Sequence, residues 1–180
     1  LKLADGKEIP VSPRNMEIIR STQRVDIQLA DSGRLEYVAK SDPEAGQVEY
    51  NTLVVPRGCE FNLVLADGSR VWLNSETELC FPMQFKGASR QVYLKGEAYF
   101  AVTKQVTKPF ILCLDQAEIT VLGTEFNVRN YENEAIATTL VKGSVSVTDN
   151  SNISECRLRP GQQAVLEKGG ITCLLYTSDA

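Results

Sequence analysis

Few residues in this sequence have side chains that could carry chemistry, and Arg90 and Glu97 are the first pair to consider. Both lie in the stretch RQVYLKGEAYFAV, with Gly96 between them. Glycoside cleavage needs two carboxylates that flank the scissile bond, and Glu97 has no second carboxylate in an obvious cluster. We therefore predict a buried or half-buried Arg90–Glu97 ion pair that holds two strands, with a catalytic acid at Glu97 as the alternative.

The chain contains no histidine. This excludes Ser-His and Cys-His nucleophile pairs in their usual form, and it excludes His-ligated metal sites. An enzyme would have to work with carboxylates, lysine or tyrosine, and the acidic residues are scattered along the sequence. We accordingly predict that the protein is not an enzyme and has no catalytic residues, no metal site and no cofactor.

The five cysteines show no CxxC or other metal-ligand spacing. We expect most of them to be small buried apolar residues on strands. A single disulfide, for instance Cys80–Cys113, is the alternative in an oxidising compartment. The cysteines are Cys59, Cys80, Cys113, Cys156 and Cys173.

Trp72 falls on the opposite phase of its strand from Val71 and Leu73, so its side chain should point away from the core. We expect it to pack beneath a loop or a neighbouring layer. The alternative is an exposed binding surface. In that case the protein would be a carbohydrate-binding β module in which Trp72, Tyr99 or Tyr131 offers a stacking platform.

The charge composition limits the possible partners. The formal net charge is −4, from 19 basic and 23 acidic residues, and no basic block occurs. Nucleic acids and anionic membrane surfaces need clustered Lys and Arg, so neither is a predicted partner. No apolar run reaches the length of a membrane span, and no signal peptide is visible.

The elements that must position these residues repeat one pattern, in which an alternating apolar run reaches a glycine and a second alternating run leaves it. Alternation with a period of two predicts half-buried strands, and a glycine inside such a pattern marks a bend or bulge. No segment shows a convincing period of 3.6, so helix should be scarce. We predict an all-β fold built as a β-solenoid or β-helix-like stack of strand–Gly–strand units, with a β-sandwich or jelly roll as the alternative.

Several polar residues and glycines receive structural roles from this pattern. Asp67-Gly68 lies between two alternating runs, which predicts a tight turn with positive φ at the glycine. Asn74 should turn the chain through its side-chain amide, and Thr124 should hydrogen-bond the irregular backbone beside Gly123. The residues assigned to this structural motif are Asp67, Gly68, Trp72, Asn74, Arg90, Gly96, Glu97, Gly123, Thr124 and Gly143.

Residues 40–47 carry Pro, Gly and charge without periodicity, which predicts a loop. We therefore divide the chain into a β lead-in over residues 1–48, a main β domain over residues 49–168 and a tail over residues 169–180. The chain begins at Leu1 and its first methionine is Met16. We expect it to be a fragment of a longer product.

Blocks spread over residues 50–166 resemble the central domain of FecR-type anti-sigma regulators, which are abundant in Bacteroides-like bacteria. The blocks follow the family's order. They are VPRGCEFNLVLADGSRVWLNSETELCFP, RQVYLKGEAYFAV, KPFIL, VLGTEFNV, TLVKGSVSV and LRPGQQA.

The resemblance implies the periplasmic domain of a single-pass inner-membrane protein that regulates transcription. Such a regulator holds an extracytoplasmic-function (ECF) sigma factor through a cytoplasmic segment. Its periplasmic part senses the signalling domain of a TonB-dependent outer-membrane receptor, the transducer. The domain would then act as a rigid spacer and docking body, and it would reach the membrane only through a helix outside this sequence.

The sequence departs from the complete family pattern. The cytoplasmic segment and the membrane helix are absent, and so is the small α/β lobe that usually follows and is thought to contact the transducer. The last residues, CLLYTSDA, lack the family's character, and we expect foreign or truncated sequence there. Cys59 stands where the family usually has glycine.

Overall fold

A computed structural model describes residues 1–9, 18–21, 25–29, 34–39, 48–151, 154–168 and 170–175. The predicted boundary loop at residues 40–47 lies outside the described residues, as do residues 176–180 of the predicted tail. The described residues contain strands and turns but no helix, so the all-β prediction is confirmed for them. The strands are β1 (Ile18–Ser21), β2 (Val25–Leu29), β3 (Leu35–Ala39), β4 (Tyr50–Val55), β5 (Phe61–Val64), β6 (Arg70–Leu73), β7 (Thr77–Pro82), β8 (Arg90–Ala101), β9 (Phe110–Cys113), β10 (Ala117–Val121), β11 (Glu125–Asn130), β12 (Ile136–Lys142), β13 (Val145–Asp149), β14 (Glu155–Leu158), β15 (Gln162–Glu167) and β16 (Gly170–Leu175).

The described strands form one continuous sheet with two parts that share β8. The first half-sheet has the order β4-β7-β8-β9-β10-β13-β14. The second half-sheet has the order β1-β2-β3-β5-β6-β8-β11-β12-β15-β16. The segment predicted as a lead-in thus contributes strands to the second half-sheet, because β3 pairs with β5.

Strand β8 joins the two half-sheets because it changes partners along its length. Its N-terminal half, from Arg90 to Lys95, pairs with β7 and β9 in the first half-sheet. Its C-terminal half, from Gly96 to Ala101, pairs with β6 and β11 in the second. The change occurs at Gly96, whose φ is 106°. This glycine is therefore the joint between the two half-sheets.

The apolar faces of the two half-sheets form one shared core. Phe100 of the second half-sheet stacks on Phe126 with ring centroids 5.1 Å apart, and it meets Phe110 of the first half-sheet at 6.2 Å. Tyr37 and Phe81 make a similar contact between the half-sheets, edge-on at 5.0 Å. Val71 and Leu73, whose phase is opposite to that of Trp72, are both buried in this core.

The solenoid-like stack is not confirmed by the strand pairing. A parallel β-helix places each coil in parallel on the next, whereas the described strands pair in parallel only between β3 and β5 and between β8 and β9. The predicted unit at Gly68 becomes an antiparallel hairpin, and the unit at Gly96 becomes one strand that changes half-sheets. At Gly123 and Gly143 the chain crosses from one half-sheet to the other. The alternative of a β-sandwich is compatible with two half-sheets that enclose one core. No helix that could cross a membrane occurs in the described part of the chain.

The cysteines differ from both sequence-based expectations. Cys80 and Cys113 lie opposite Tyr93 on its two sides, so two strand spacings of about 4.8 Å each separate them. That separation exceeds the roughly 7 Å limit between Cα atoms for a disulfide, and both thiols are free and half-buried. Cys59 is free and exposed.

The disulfide instead joins Cys156 on β14 to Cys173 on β16, with Cα atoms 6.8 Å apart. Strand β14 is the last strand of the first half-sheet and β16 is the last of the second. The bond therefore ties together the two half-sheets at their C-terminal strands. It also fixes part of the segment predicted as a tail, because β16 pairs with β15 along Gly170–Leu175.

Replacing Cys156 by Ser is expected to lower the free energy of unfolding by about 3 kcal/mol, because the disulfide closes a loop with a sequence separation of 17. Urea denaturation under non-reducing conditions measures this loss. Cys59→Ser is the matched control, since the exposed free thiol should change stability by less than about 0.5 kcal/mol. Equal stability of Cys156→Ser and the parent protein would contradict the prediction.

Candidate functional site

The structure distributes the residues of the predicted structural motif among three places. Arg90 pairs with Asp67 in a buried cluster at one end of β8, and the exposed Gly68 completes the turn that carries Asp67. Trp72, Asn74 and Glu97 line a groove on the outer face of the second half-sheet. The remaining residues, Gly96, Gly123, Thr124 and Gly143, shape the backbone where strands bend or end.

Arg90 is completely buried and its guanidinium group connects four separate segments. Its Nη1 donates hydrogen bonds to Oδ2 of Asp67 and to the backbone oxygen of Thr103, both at 2.8 Å. Its Nε donates to the oxygen of Lys108 at 2.9 Å, and its Nη2 donates to that of Leu122 at 3.2 Å. The guanidinium also lies over the Phe110 ring, 5.5 Å from its centroid. Arg90 therefore holds the loops at this end of the sheet together.

The predicted Arg90–Glu97 pair is wrong, because Arg90 pairs with Asp67. Arg90 and Glu97 lie an odd number of residues apart on one strand, and successive strand residues point to opposite faces. Arg90 accordingly points into the core, whereas Glu97 points to the outer groove. Burial of a charge requires a partner of opposite charge and further hydrogen bonds, and the Asp67 turn supplies that partner.

The Asp67-Gly68 turn forms as predicted, with φ of 86° at Gly68. Asp67 Oδ1 accepts a hydrogen bond from the Ser69 backbone N–H at 2.9 Å, and Oδ2 accepts one from the Ser69 hydroxyl at 2.8 Å. Leu65 closes the hairpin, since its backbone N–H donates to the Ser69 oxygen. The turn thus holds the Asp67 carboxylate in place for Arg90.

Gly123 and Thr124 lie where the chain leaves the first half-sheet at β10 and enters the second at β11. A Cβ atom on Gly123 would lie 2.6 Å from both Cα and Cβ of Lys104, so close backbone packing requires glycine there. Thr124 Oγ1 donates a hydrogen bond to the Ser144 oxygen at 2.9 Å, as the predicted contact with irregular backbone requires. Gly143 packs against Gly123 and Thr124.

The groove on the outer face of the second half-sheet has a volume of about 200 Å³. The Trp72 side chain is 38% exposed there and packs edge-on against Tyr99, with ring centroids 5.6 Å apart. The prediction that Trp72 points outward is therefore confirmed. The aromatic ring that it contacts is that of Tyr99 on the neighbouring strand β8. The groove is lined by Glu60, Asn62, Trp72, Leu73, Asn74, Glu97, Ala98, Tyr99 and Asn127.

Glu97 belongs to a polar network at one end of this groove. Asn74 Nδ2 donates to its Oε1 at 2.8 Å, and Arg129 Nη1 lies 3.8 Å from its Oε2. Asn74 also turns the chain as predicted, because its Oδ1 accepts the backbone N–H of Ser75 at 2.8 Å. A carboxylate held by an amide and a guanidinium is suited to orienting a ligand.

Tyr99 and Tyr131 have different surroundings. Burial and the neighbouring Glu125 carboxylate raise the pKa of Tyr99, whose neutral hydroxyl donates to Glu125 Oε2 at 3.2 Å. Tyr131 lies under Arg129, whose guanidinium carbon is 5.1 Å from the ring centroid, and its hydroxyl donates to the Ser75 oxygen at 2.7 Å. The three aromatic residues predicted as alternative platforms therefore separate into the Trp72–Tyr99 pair and a Tyr131 ring already in contact with Arg129.

Arg129 is held at the surface by Glu134. Its Nε donates to Glu134 Oε2 at 2.8 Å. This hydrogen bond raises the pKa of Arg129 and lowers that of Glu134. Exposed ion pairs of this kind contribute little to stability, so the pair mainly orients Arg129 beside Glu97.

Sequence reasoning missed Asn62, Asn127 and Arg129 on this face. The alternation of the β5–β6 hairpin could have placed Asn62 on the outer face, because Asn62 lies opposite Trp72 in that hairpin. Asn127 lines the groove and Arg129 lies beside Glu97 because β11 pairs with β8, and that pairing joins distant parts of the sequence. Among the described residues, no group of His, Cys, Asp and Glu side chains could hold a metal ion.

Two comparisons with known proteins place this chain among regulators. Residues 51–146 match the family model described as FecR protein. A crystal structure of a candidate anti-sigma factor from Parabacteroides distasonis is 32% identical with a TM-score of 0.67, and the match covers 70% of this chain and 60% of that one. A second such crystal structure, also from P. distasonis, is 33% identical with a TM-score of 0.66, over 69% and 59% of the two chains. The chain thus spans about three fifths of the structures that it matches. No curated protein sequence matches it.

Proposed function

Because the chain belongs to the FecR protein family, we propose that it is the periplasmic sensory domain of a transmembrane anti-sigma factor. In this proposal the domain relays a signal from a TonB-dependent outer-membrane receptor to an ECF sigma factor. The receptor would act through its signalling domain. The sigma factor would be bound by a cytoplasmic segment, and a membrane helix would connect that segment to this domain.

The observation that carries the proposal is the position of the family match. Residues 51–146 run from within β4 into β13 and include all of β8, with its joint at Gly96 and its buried Arg90 cluster. The family and the anti-sigma neighbours support a regulatory domain. The matched part therefore contains contacts that join the two half-sheets into one body, as a spacer that transmits an engagement at one surface requires.

The proposed periplasmic location has support from the Cys156–Cys173 disulfide. Disulfides form and persist in oxidising compartments, which include the bacterial periplasm, and are rare in the cytosol. The sequence has no basic block and its formal net charge is −4, which favours a protein partner over nucleic acid.

A binding experiment tests the receptor partner. The longer periplasmic region that contains this chain is passed over the immobilised signalling domain of a TonB-dependent receptor encoded beside it. We expect saturable retention, and no retention on the signalling domain of an unrelated receptor. Equal retention on both surfaces, or none on either, would count against this partner.

A reporter experiment tests the relay. In cells with the complete regulator, overproduction of the receptor's signalling domain in the periplasm should raise transcription from a promoter dependent on the sigma factor at least several-fold. Replacement of residues 48–168 by a flexible linker should remove this response, because the spacer is lost. A response of unchanged size in the replaced variant would contradict the proposed role.

A further inference from the structure

We propose that the groove around Trp72 is a binding site for a neutral saccharide chain. The inference rests on the arrangement of side chains across the second half-sheet and does not depend on the regulatory role. The occupant is a short run of uncharged sugar rings that lies across the strands and packs on the Trp72–Tyr99 pair.

The first observation is a straight row of four side chains on neighbouring strands. Asn62 on β5 lies opposite Trp72 on β6, and Trp72 lies opposite Tyr99 on β8. Tyr99 in turn lies opposite Asn127 on β11. The row therefore reads amide, indole, phenol, amide, and it spans three strand spacings, or about 14 Å. An aromatic platform with a hydrogen-bonding group at each end is the result.

The second observation is that both amides in the row lack partners. Asn62 and Asn127 are half-buried, and neither side chain forms a hydrogen bond with another described residue. A side-chain amide offers two N–H donors and an oxygen acceptor, and a polar group that is partly removed from water is stabilised by a partner. Sugar hydroxyl groups both donate and accept, so they match amides at either end of the row.

The charges around the groove select an uncharged ligand. Glu60 and Glu97 line it, no Lys or Arg is among its described lining residues, and the guanidinium of Arg129 beside Glu97 is also paired with Glu134. An anionic ligand would meet two carboxylates and no cationic side chain among the described residues that line the groove. Glu97 already has Arg129 and Asn74 as partners, so a cationic ligand would have to compete with them. Carboxylate oxygens remain good acceptors for sugar hydroxyls.

The volume of the groove suits a sugar ring that lies flat on the sheet and is not enclosed by the protein. At about 200 Å³ it is smaller than the sites that enclose drug-sized ligands, which reach several hundred Å³. The apolar face of a pyranose ring can pack on the exposed indole while its hydroxyls point sideways to the amides. A chain of sugars can extend beyond the groove in either direction because the face is open.

The first half-sheet provides a natural control surface. It also carries an exposed aromatic pair, in which Tyr93 is 45% exposed and lies 6.1 Å from Tyr50 between ring centroids. On its two neighbouring strands, Tyr93 lies opposite Cys80 and Cys113. In the groove, by contrast, Tyr99 lies opposite Trp72 and Asn127. An aromatic pair without amides should not hold a sugar chain.

Fluorescence titration gives the test, because Trp72 is the only tryptophan in the chain. The 180-residue protein is titrated with neutral oligosaccharides of glucose, xylose, mannose and galactose, and with oligogalacturonate as an acidic comparison. We expect a saturable change in Trp72 emission with at least one neutral oligosaccharide, and a weaker effect with the acidic one. No saturable change with any neutral oligosaccharide overturns the proposal, as does preference for oligogalacturonate.

Calorimetric titration of variants with the best oligosaccharide locates the site. Trp72→Ala should weaken binding at least about 10-fold. Asn62→Ala and Asn127→Ala should each weaken it roughly 3- to 10-fold, as the loss of a hydrogen bond predicts. Tyr93→Ala, on the opposite surface, should leave affinity unchanged. Binding that survives Trp72→Ala, or that Tyr93→Ala removes equally, overturns the assignment.

A protein partner on the same face is the competing outcome. If the receptor's signalling domain binds the parent protein, loses binding on Trp72→Ala, and no oligosaccharide binds, the saccharide proposal fails while the proposed regulatory function stands. If oligosaccharides bind through Trp72 and the signalling domain is not bound at all, the saccharide proposal holds and the receptor partnership fails.

Discussion

Arg90→Met is expected to lower the free energy of unfolding by about 3–5 kcal/mol, because it removes one partner of a buried ion pair. Methionine fills much of the same space but cannot donate a hydrogen bond. The Asp67 carboxylate, whose side chain is 5% exposed, would keep only its bonds from Ser69. A loss of this size is a large fraction of the stability of an ordinary domain.

The substitution also removes one hydrogen-bond donor from each of three backbone oxygens, although the oxygen of Leu122 keeps the Gln105 backbone N–H as a donor at 2.9 Å. These oxygens belong to Thr103, Lys108 and Leu122, in loops that follow β8, precede β9 and follow β10. Urea denaturation followed by Trp72 fluorescence measures the change in midpoint and slope. We expect a lower midpoint with a similar slope, because the folded architecture persists while its stability falls.

Two variants make this prediction specific to burial. Arg129→Met removes an exposed guanidinium paired with Glu134, and it should cost no more than about 1 kcal/mol. The double variant Arg90→Met/Asp67→Asn should recover part of the loss, because it removes the uncompensated buried charge. If Arg90→Met were no more damaging than Arg129→Met, the buried cluster would not stabilise the fold as described.

Gly96→Ala is expected to be the most damaging replacement of a glycine, with a loss of about 3 kcal/mol or more. Two costs combine at this position. The φ of 106° is one that residues with a Cβ rarely adopt, which costs about 1–2 kcal/mol. The new Cβ would lie 2.8 Å from the Cα of Thr77, and overpacking of this kind costs a further 1–3 kcal/mol or so.

Thr77 cannot simply move away from the new methyl group. Its hydroxyl oxygen accepts the Glu97 backbone N–H at 3.0 Å and its hydroxyl donates to the Glu97 oxygen at 3.2 Å. These bonds close the bend at which β8 passes from one half-sheet to the other. Gly96→Ala therefore strains the joint between the half-sheets, and we expect thermal and urea unfolding both to report the loss.

Gly58→Ala separates the two costs. Gly58 has φ of 78°, and a Cβ there would have no atom within 4 Å. The loss should therefore be limited to the conformational cost of about 1–2 kcal/mol. Similar losses for Gly58→Ala and Gly96→Ala would show that the Thr77 contact relaxes easily, and would contradict the role given to the joint.

The strands were predictable from the sequence because the alternation that defines them is local. Val71 and Leu73 are buried and Trp72 is exposed on the same strand, as their phase requires. The turns at Asp67-Gly68 and Asn74 were predictable for the same reason, since each depends on a side chain and its immediate neighbours. A period of two arises from the pleat of a single strand and needs no knowledge of its partner.

The pairing partners were not predictable in this way. Arg90 was assigned to Glu97 on its own strand, whereas its partner Asp67 lies 23 residues away in sequence. The suggested Cys80–Cys113 disulfide failed because a third strand, with Tyr93, lies between the two cysteines. The bond that forms depends on the meeting of the last strands of two half-sheets.

The sequence alone therefore determined the all-β character, the inward and outward faces of the strands around β8, and the likeness to FecR-type regulators. The tertiary structure decided which strands are neighbours, and with them the buried Arg90 cluster, the joint at Gly96 and the row that carries Asn62, Trp72, Tyr99 and Asn127 across four strands. The physical reason is that face and turn are set by contacts among near neighbours in the chain. A cluster or groove forms only when long-range strand pairing brings distant residues to the same place.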